Sequence, residues 1–83
     1  MNKMIVIYSP YCTKAYIIKE HDKDDYYDVV CNISLELYDE QSGDPINAKV
    51  EEMDRCVRGW EPERFVELWS ELMISSEWRA KIH

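Results

Sequence analysis

Few residues in this chain are of a type that does covalent chemistry, and their spacing does not bring them together. His21 lies inside an acidic run and His83 is the last residue, where chains are usually mobile. Cys12, Cys31 and Cys56 are odd in number and far apart. No Cys-x-x-Cys is present, so neither a zinc ribbon nor a dithiol pair is supported. Nucleophilic catalysis needs a Cys or Ser with a base and an orienting group, and no such set is visible. Two isolated glycines cannot build a phosphate-cradling loop. The sequence therefore predicts a protein that is not an enzyme and has neither cofactor nor metal.

The acids are more informative. Asp22, Asp24, Asp25 and Asp28 stand close together, which raises the question of calcium. An EF-hand loop needs Gly at position 6 and Glu at position 12. Counting from Asp22 those positions hold Tyr27 and Ile33, and counting from Asp39 they hold Asp44 and Val50. Both fail. The remaining readings are a solvated surface and an acidic docking face. The candidate face comprises Asp22, Asp24, Asp25, Asp28, Glu36, Asp39, Glu40 and Asp44. A second row, Glu63, Glu67 and Glu71, falls at i, i+4, i+8, where like charges repel. A helix does not need that row for its own stability, although Arg64 offsets part of it.

The charge is segregated. Seventeen acids against 10 bases give a net charge of −7. Residues 1–19 are net +3, 20–54 are net −10, and 55–83 are neutral. Such a chain attracts a basic protein surface and repels nucleic acid and anionic membrane. Direct nucleic-acid binding needs a basic footprint, and none stands out. The odd thiols and an apolar start too short for a signal peptide suggest a cytoplasmic protein. Asn32-Ile33-Ser34 matches a glycosylation sequon and in that setting is a chance match.

These residues must be positioned by few elements, because 83 residues make one small domain. Lys3 to Tyr8 is apolar on both faces, as in a central strand. Ser9 to Thr13 is a turn, and Ala15 to Lys19 is a second strand. From Tyr26 to Tyr38 the residues Tyr27, Val29, Cys31, Ile33, Leu35 and Leu37 alternate, which predicts a strand with these on its buried face. Tyr26, Asp28, Glu36 and Tyr38 then line its wet face. Asp39 to Asp44 forms the hairpin tip. A fourth strand over about 45–51 is favoured over a helix opening at Asp44-Pro45, whose stripe would be Ile46, Val50, Met53 and Val57. A helix from Pro62 carries Phe65, Leu68, Trp69, Leu72 and Met73 on one stripe. If it runs past Ser75-Ser76, Trp78 joins the acidic side as an exposed anchor; if it breaks there, Trp78 folds onto the core. The expected fold is α+β, a four-stranded antiparallel β-meander covered by one long C-terminal helix.

Met4 to Ala15, with Ser9-Pro10-Tyr11-Cys12 followed by Lys14-Ala15, resembles the start of a glutaredoxin. That resemblance implies a thioredoxin-like fold with Tyr26 to Ile33 as its second strand. It matches the family's resolving cysteine to Cys12 and puts Ser9 where the reactive cysteine belongs. In size and charge the chain also resembles phage-encoded inhibitors of host defence, including anti-CRISPR proteins and DNA mimics. The expected function is that of an acidic inhibitor which presents carboxylates to a basic, nucleic-acid-binding surface. The alternative is a redox protein with a degenerate site.

Overall fold

Branched residues near the start of the chain form a β-hairpin. Strands β1 (Ile5–Tyr8) and β2 (Ala15–Ile18) pair antiparallel, with Ile5 opposite Ile18 and Tyr8 opposite Ala15. The computed structural model describes residues 2–40, 44–74 and 76–83, with side-chain detail outside 34–48. Three helices follow, α1 (Asp24–Glu40), α2 (Asp44–Arg58) and α3 (Pro62–Leu72). The chain then returns as β3 (Arg79–Ile82), antiparallel to β1. The described sheet has three strands in the order β2-β1-β3. The apolar start is thus the central strand.

Side-chain alternation divides the sheet into two faces. Ile5, Ile7, Tyr16 and Ile18 are buried on one face, with Ala80 beside them. The helices cover that face with Tyr26, Val29, Ile33, Met53, Val57, Phe65, Leu68 and Trp69. Phe65 anchors the layer, with ring centroids 5.7 Å from Trp69 and 5.8 Å from Tyr26. The opposite face carries Val6, Tyr8, Ile17, Arg79 and Lys81 and no acid from the three strands.

Four elements differ from the sequence expectation, the first being β3, since the pattern predicts no strand over Arg79–Ile82. Residues 26–38 lie in a helix rather than a strand. Tyr26, Val29 and Ile33 also fit i, i+3 and i+7, and those three are buried, while Tyr27 and Cys31 are exposed. Packing against the sheet decides between the two periods. Asp24 and Asp25 in the first turn complement the helix dipole. The expected fourth strand is α2, whose Met53 and Val57 are buried. Here the competing stripe was the correct one. The C-terminal helix has only 11 residues, because it stops at Leu72. Trp78 consequently folds back onto the core and is 6% exposed.

Helix α2 ends in a Schellman-type cap. The amide of Glu61 donates to the Cys56 carbonyl at 2.8 Å, and that of Trp60 to Val57 at 3.3 Å. Trp60 holds the left-handed position, φ 55°, where glycine is usual. Gly59 serves a different need, since a Cβ there would meet the Arg55 carbonyl at 3.2 Å.

Candidate acidic docking site

Five described carboxylates, Glu20, Asp22, Asp24, Asp25 and Asp28, sit where β2 passes into α1. A tight turn joins them, with paired backbone bonds between Lys19 and Asp22 of 2.9 and 3.2 Å. The Lys23 ammonium closes the turn by donating to the Glu20 carbonyl. The Asp22 carboxylate accepts the Asp24 amide at 3.4 Å, satisfying one of the open donors at the helix start. This geometry presents Glu20, His21, Asp22 and Asp24 to solvent. Asp25 turns the other way and accepts the outward N–H of Ile17 at 2.9 Å. Asp28 pairs with Lys14 at 3.5 Å, and the Lys14 ammonium lies 4.6 Å from the Tyr16 ring centre. Tyr16 chiefly, with Asp28 adding to it, raises the Lys14 ammonium above its ordinary value. Asn32 donates to the Tyr16 hydroxyl at 3.0 Å and completes the seam between α1 and β2.

The expected residues therefore divide. Asp22, Asp24, Asp25 and Asp28 share this corner, but only Asp22 and Asp24 are exposed and without an ion pair among the described residues. Glu20 joins them in both respects. Sequence reasoning missed Glu20, although its place beside His21-Asp22 was a usable signal. Glu36, Asp39 and Glu40 lie in the second half of α1, and Asp44 opens α2. They are on helices and not on a strand and hairpin tip; Gln41 to Gly43 and the side chains of these four acids lie outside the described residues. By backbone position, 25, 28, 36 and 39 fall within an arc of about 80° on α1, at about 100° per residue.

The row on α3 is internally balanced. Glu63 pairs with Lys3, Glu67 with Arg64 at 3.1 Å, and Glu71 with Lys49 at 3.6 Å. Arg64 also reaches Glu52 at 3.1 Å. The hydrogen bond from Lys3 chiefly holds the Glu63 carboxyl below its usual value. Hydrogen bonds to Glu52 and then Glu67 hold the Arg64 guanidinium above its own. The i, i+4, i+8 repulsion is thus relieved by Lys3 ahead of β1, Lys49 of α2 and Arg64 of α3 itself. Trp78, expected as a possible exposed anchor, is buried and packs 6.1 Å from the Tyr16 ring.

The thiols are also placed differently. Cys12 and Cys31 are exposed and Cys56 is buried. Burial chiefly pushes the Cys56 thiol up. Ser9, which takes the place of a reactive cysteine in the glutaredoxin resemblance, is buried. Its hydroxyl accepts the Lys14 amide at 2.8 Å, so it holds the hairpin loop together. Tyr26 to Ile33, the second strand on that resemblance, is helical. Among the described residues no three His, Cys, Asp or Glu side chains are grouped to hold a metal ion. No helix among them is long and apolar enough to cross a membrane. No family model, curated protein or solved structure matches the chain.

Proposed function

We propose that this chain is a small acidic protein-binding module, an inhibitor that presents carboxylates to a basic, nucleic-acid-binding surface of its partner in the manner of a DNA mimic. One observation carries the reading. Glu20, Asp22 and Asp24 are exposed at one corner without an ion-pair partner among the described residues, in a chain whose Glu63, Glu67 and Glu71 are each balanced by a cation. Carboxylates left out of ion pairs on a tight turn attract a basic surface at long range, with Lys19 and Lys23 of the same turn offsetting part of their charge. The favoured contact is therefore the β2–α1 corner. Three thiols with no pairing motif support a cytoplasmic setting.

The test starts with capture of a partner from lysate at low salt by the immobilised chain. Association with that partner should slow as salt rises from about 50 to about 500 mM, where the Debye length falls from about 14 to about 4 Å. Duplex DNA should compete. Glu20→Lys, Asp22→Lys and Asp24→Lys together should slow association by about tenfold or more. Reversal of Glu63, Glu67 and Glu71 should act less. A partner whose association ignores both salt and the corner reversals would refute the proposal.

A further inference from the structure

We propose that the outer edge of β3 adds an extended strand from a partner protein, one that alternates acidic and apolar residues. This contact is separate from the acidic corner and does not rest on it. The argument begins with hydrogen-bond phase. Met4 and His83 exchange backbone bonds of 3.0 and 2.9 Å, so the bonded pairs along β1 and β3 fall at 4/83, 6/81 and 8/79. Ala80 and Ile82 therefore turn their N–H and C=O groups away from β1. Among the described residues these groups have no hydrogen-bond partner. The other edge of the sheet is treated differently. On β2 the outward N–H of Ile17 is taken by the Asp25 carboxylate. An edge with unpaired donors and acceptors is a template for another strand.

The two faces of β3 specify what such a strand carries. Residues on an added strand alternate between the faces as those of β3 do. On the helix side, Ala80 and Ile82 are half-buried. A cavity of about 200 Å³ lies against the strand there, lined by Trp69, Met73, Ile74, Trp78 and Ala80. Ile74 at its rim is 82% exposed, a large apolar side chain with little to cover it. An apolar side chain from the partner fits this side. On the other side Arg79 and Lys81 are exposed, and among the described residues neither pairs with an acid. Arg79 donates to the Ser76 and Trp78 carbonyls, which fixes its position without neutralising its charge. Acidic side chains fit this side.

A second copy of the chain does not. Antiparallel self-pairing must use the outward residues. Pairing Ala80 with Ala80 sets Arg79 opposite Lys81, and pairing Ala80 with Ile82 sets Lys81 opposite Lys81. Like charges directly opposite are destabilising. The edge thus selects against itself and for an acidic strand.

The probe is a fluorescein-labelled peptide of about seven residues alternating Glu and Leu. Anisotropy should show binding, and amide exchange at Ala80 and Ile82 should slow in the complex while that at Ile17 does not. The same peptide with Lys for Glu should bind at least about tenfold more weakly. Ala80→Pro removes an edge donor that bonds to nothing among the described residues, so it should leave the circular dichroism unchanged and weaken binding by about tenfold. If that variant unfolds, Arg79→Glu with Lys81→Glu carries the test and should reverse the preference to the Lys peptide. The proposal fails if the Glu peptide binds no tighter than about 1 mM. It also fails if Ala80 and Ile82 exchange unchanged in the complex, or if sedimentation shows self-association that protects the same two amides.

Discussion

Trp78→Ala probes the difference between an exposed anchor and a core residue. Trp78 is 6% exposed and its ring lies 6.1 Å from that of Tyr16. A buried Trp removes about 150–250 Å² from water, which at about 25 cal/mol per Å² stabilises by about 4–6 kcal/mol. Its indole N–H has no acceptor among the described residues, and an unsatisfied buried donor takes back about 1–3 kcal/mol. The net loss on truncation is then about 3 kcal/mol, at the low end of the usual range for Trp→Ala. A domain of this length has about 4–12 kcal/mol in all, so most of the protein should still fold. Urea titration followed by far-ultraviolet circular dichroism should show the midpoint falling by about 3 M, for a slope near 1 kcal/mol per M. Ile74→Ala, at a residue 82% exposed, should stay within about 0.5 kcal/mol. Trp78→Phe keeps most of the ring contact and sheds the unpaired donor, so its cost should be about 1 kcal/mol or less. A loss under about 1 kcal/mol for Trp78→Ala would remove Trp78 from the core. Equal losses for Ala and Phe would show that the indole N–H is bonded after all.

Native protein should expose Cys12 and Cys31 to a thiol reagent at once and Cys56 only on unfolding; a third fast thiol, or only one, would contradict the placement. Glu63 is held below its ordinary 4.5 chiefly by the hydrogen bond from Lys3, so its contribution to stability is fully present above that pH and fades as pH falls through the lowered value. Lys3→Ala should therefore flatten the acid limb of a stability–pH curve measured by urea midpoints, and an unchanged limb would exclude the pair as its source. Asp25→Ala should cost about 1 kcal/mol and accelerate amide exchange at Ile17, whose outward N–H it bonds. An unaltered Ile17 rate would mean that this edge is closed by α1 as a whole rather than by one carboxylate.

How much of this was legible in the sequence depends on whether local pattern and tertiary contact agreed. They agreed for Ile5 to Tyr8 and Ala15 to Ile18, where branched residues and the Ser9-Pro10 turn leave one reading. They disagreed between Tyr26 and Tyr38. There Val29 and Ile33 serve both an alternating and a helical stripe, and only the sheet beneath them selects the helix. Tyr27 and Cys31 pay the cost of that choice, with Tyr27 52% exposed. Residues 79–82 are too short a run for period-2 alternation to stand out, so β3 went unseen and the helix before it was drawn too long. The same errors moved the candidate site. Asp28 and Glu36 are placed by a helix and not by a strand. The neutralisation of Glu63 and Glu71 depends on Lys3 and Lys49, which no local pattern links to them.

The topology also explains how one chain holds two surfaces of opposite sign. Of the 17 acids, 14 lie between residues 24 and 72 with only four bases, so the helical layer is strongly negative. The strands and their loops hold the other six bases against three acids. Because α1 packs along β2, α3 along β3 and α2 on α3, most of this separation along the chain becomes a separation between layers, with Glu20 and Asp22 left beside Lys19 and Lys23 in the β2–α1 turn. The acidic corner lies beside β2 and the open edge belongs to β3, and β1 stands between them. Two interstrand spacings set these edges about 10 Å apart before side chains are counted. Sites at such a distance, with no shared partner group, perturb binding independently. Combining the Glu20, Asp22 and Asp24 reversals with Ala80→Pro should therefore give additive losses, each confined to its own partner. A loss at the corner produced by Ala80→Pro alone would mean that the two edges communicate through β1, and the two-surface account would have to be replaced by a single interface.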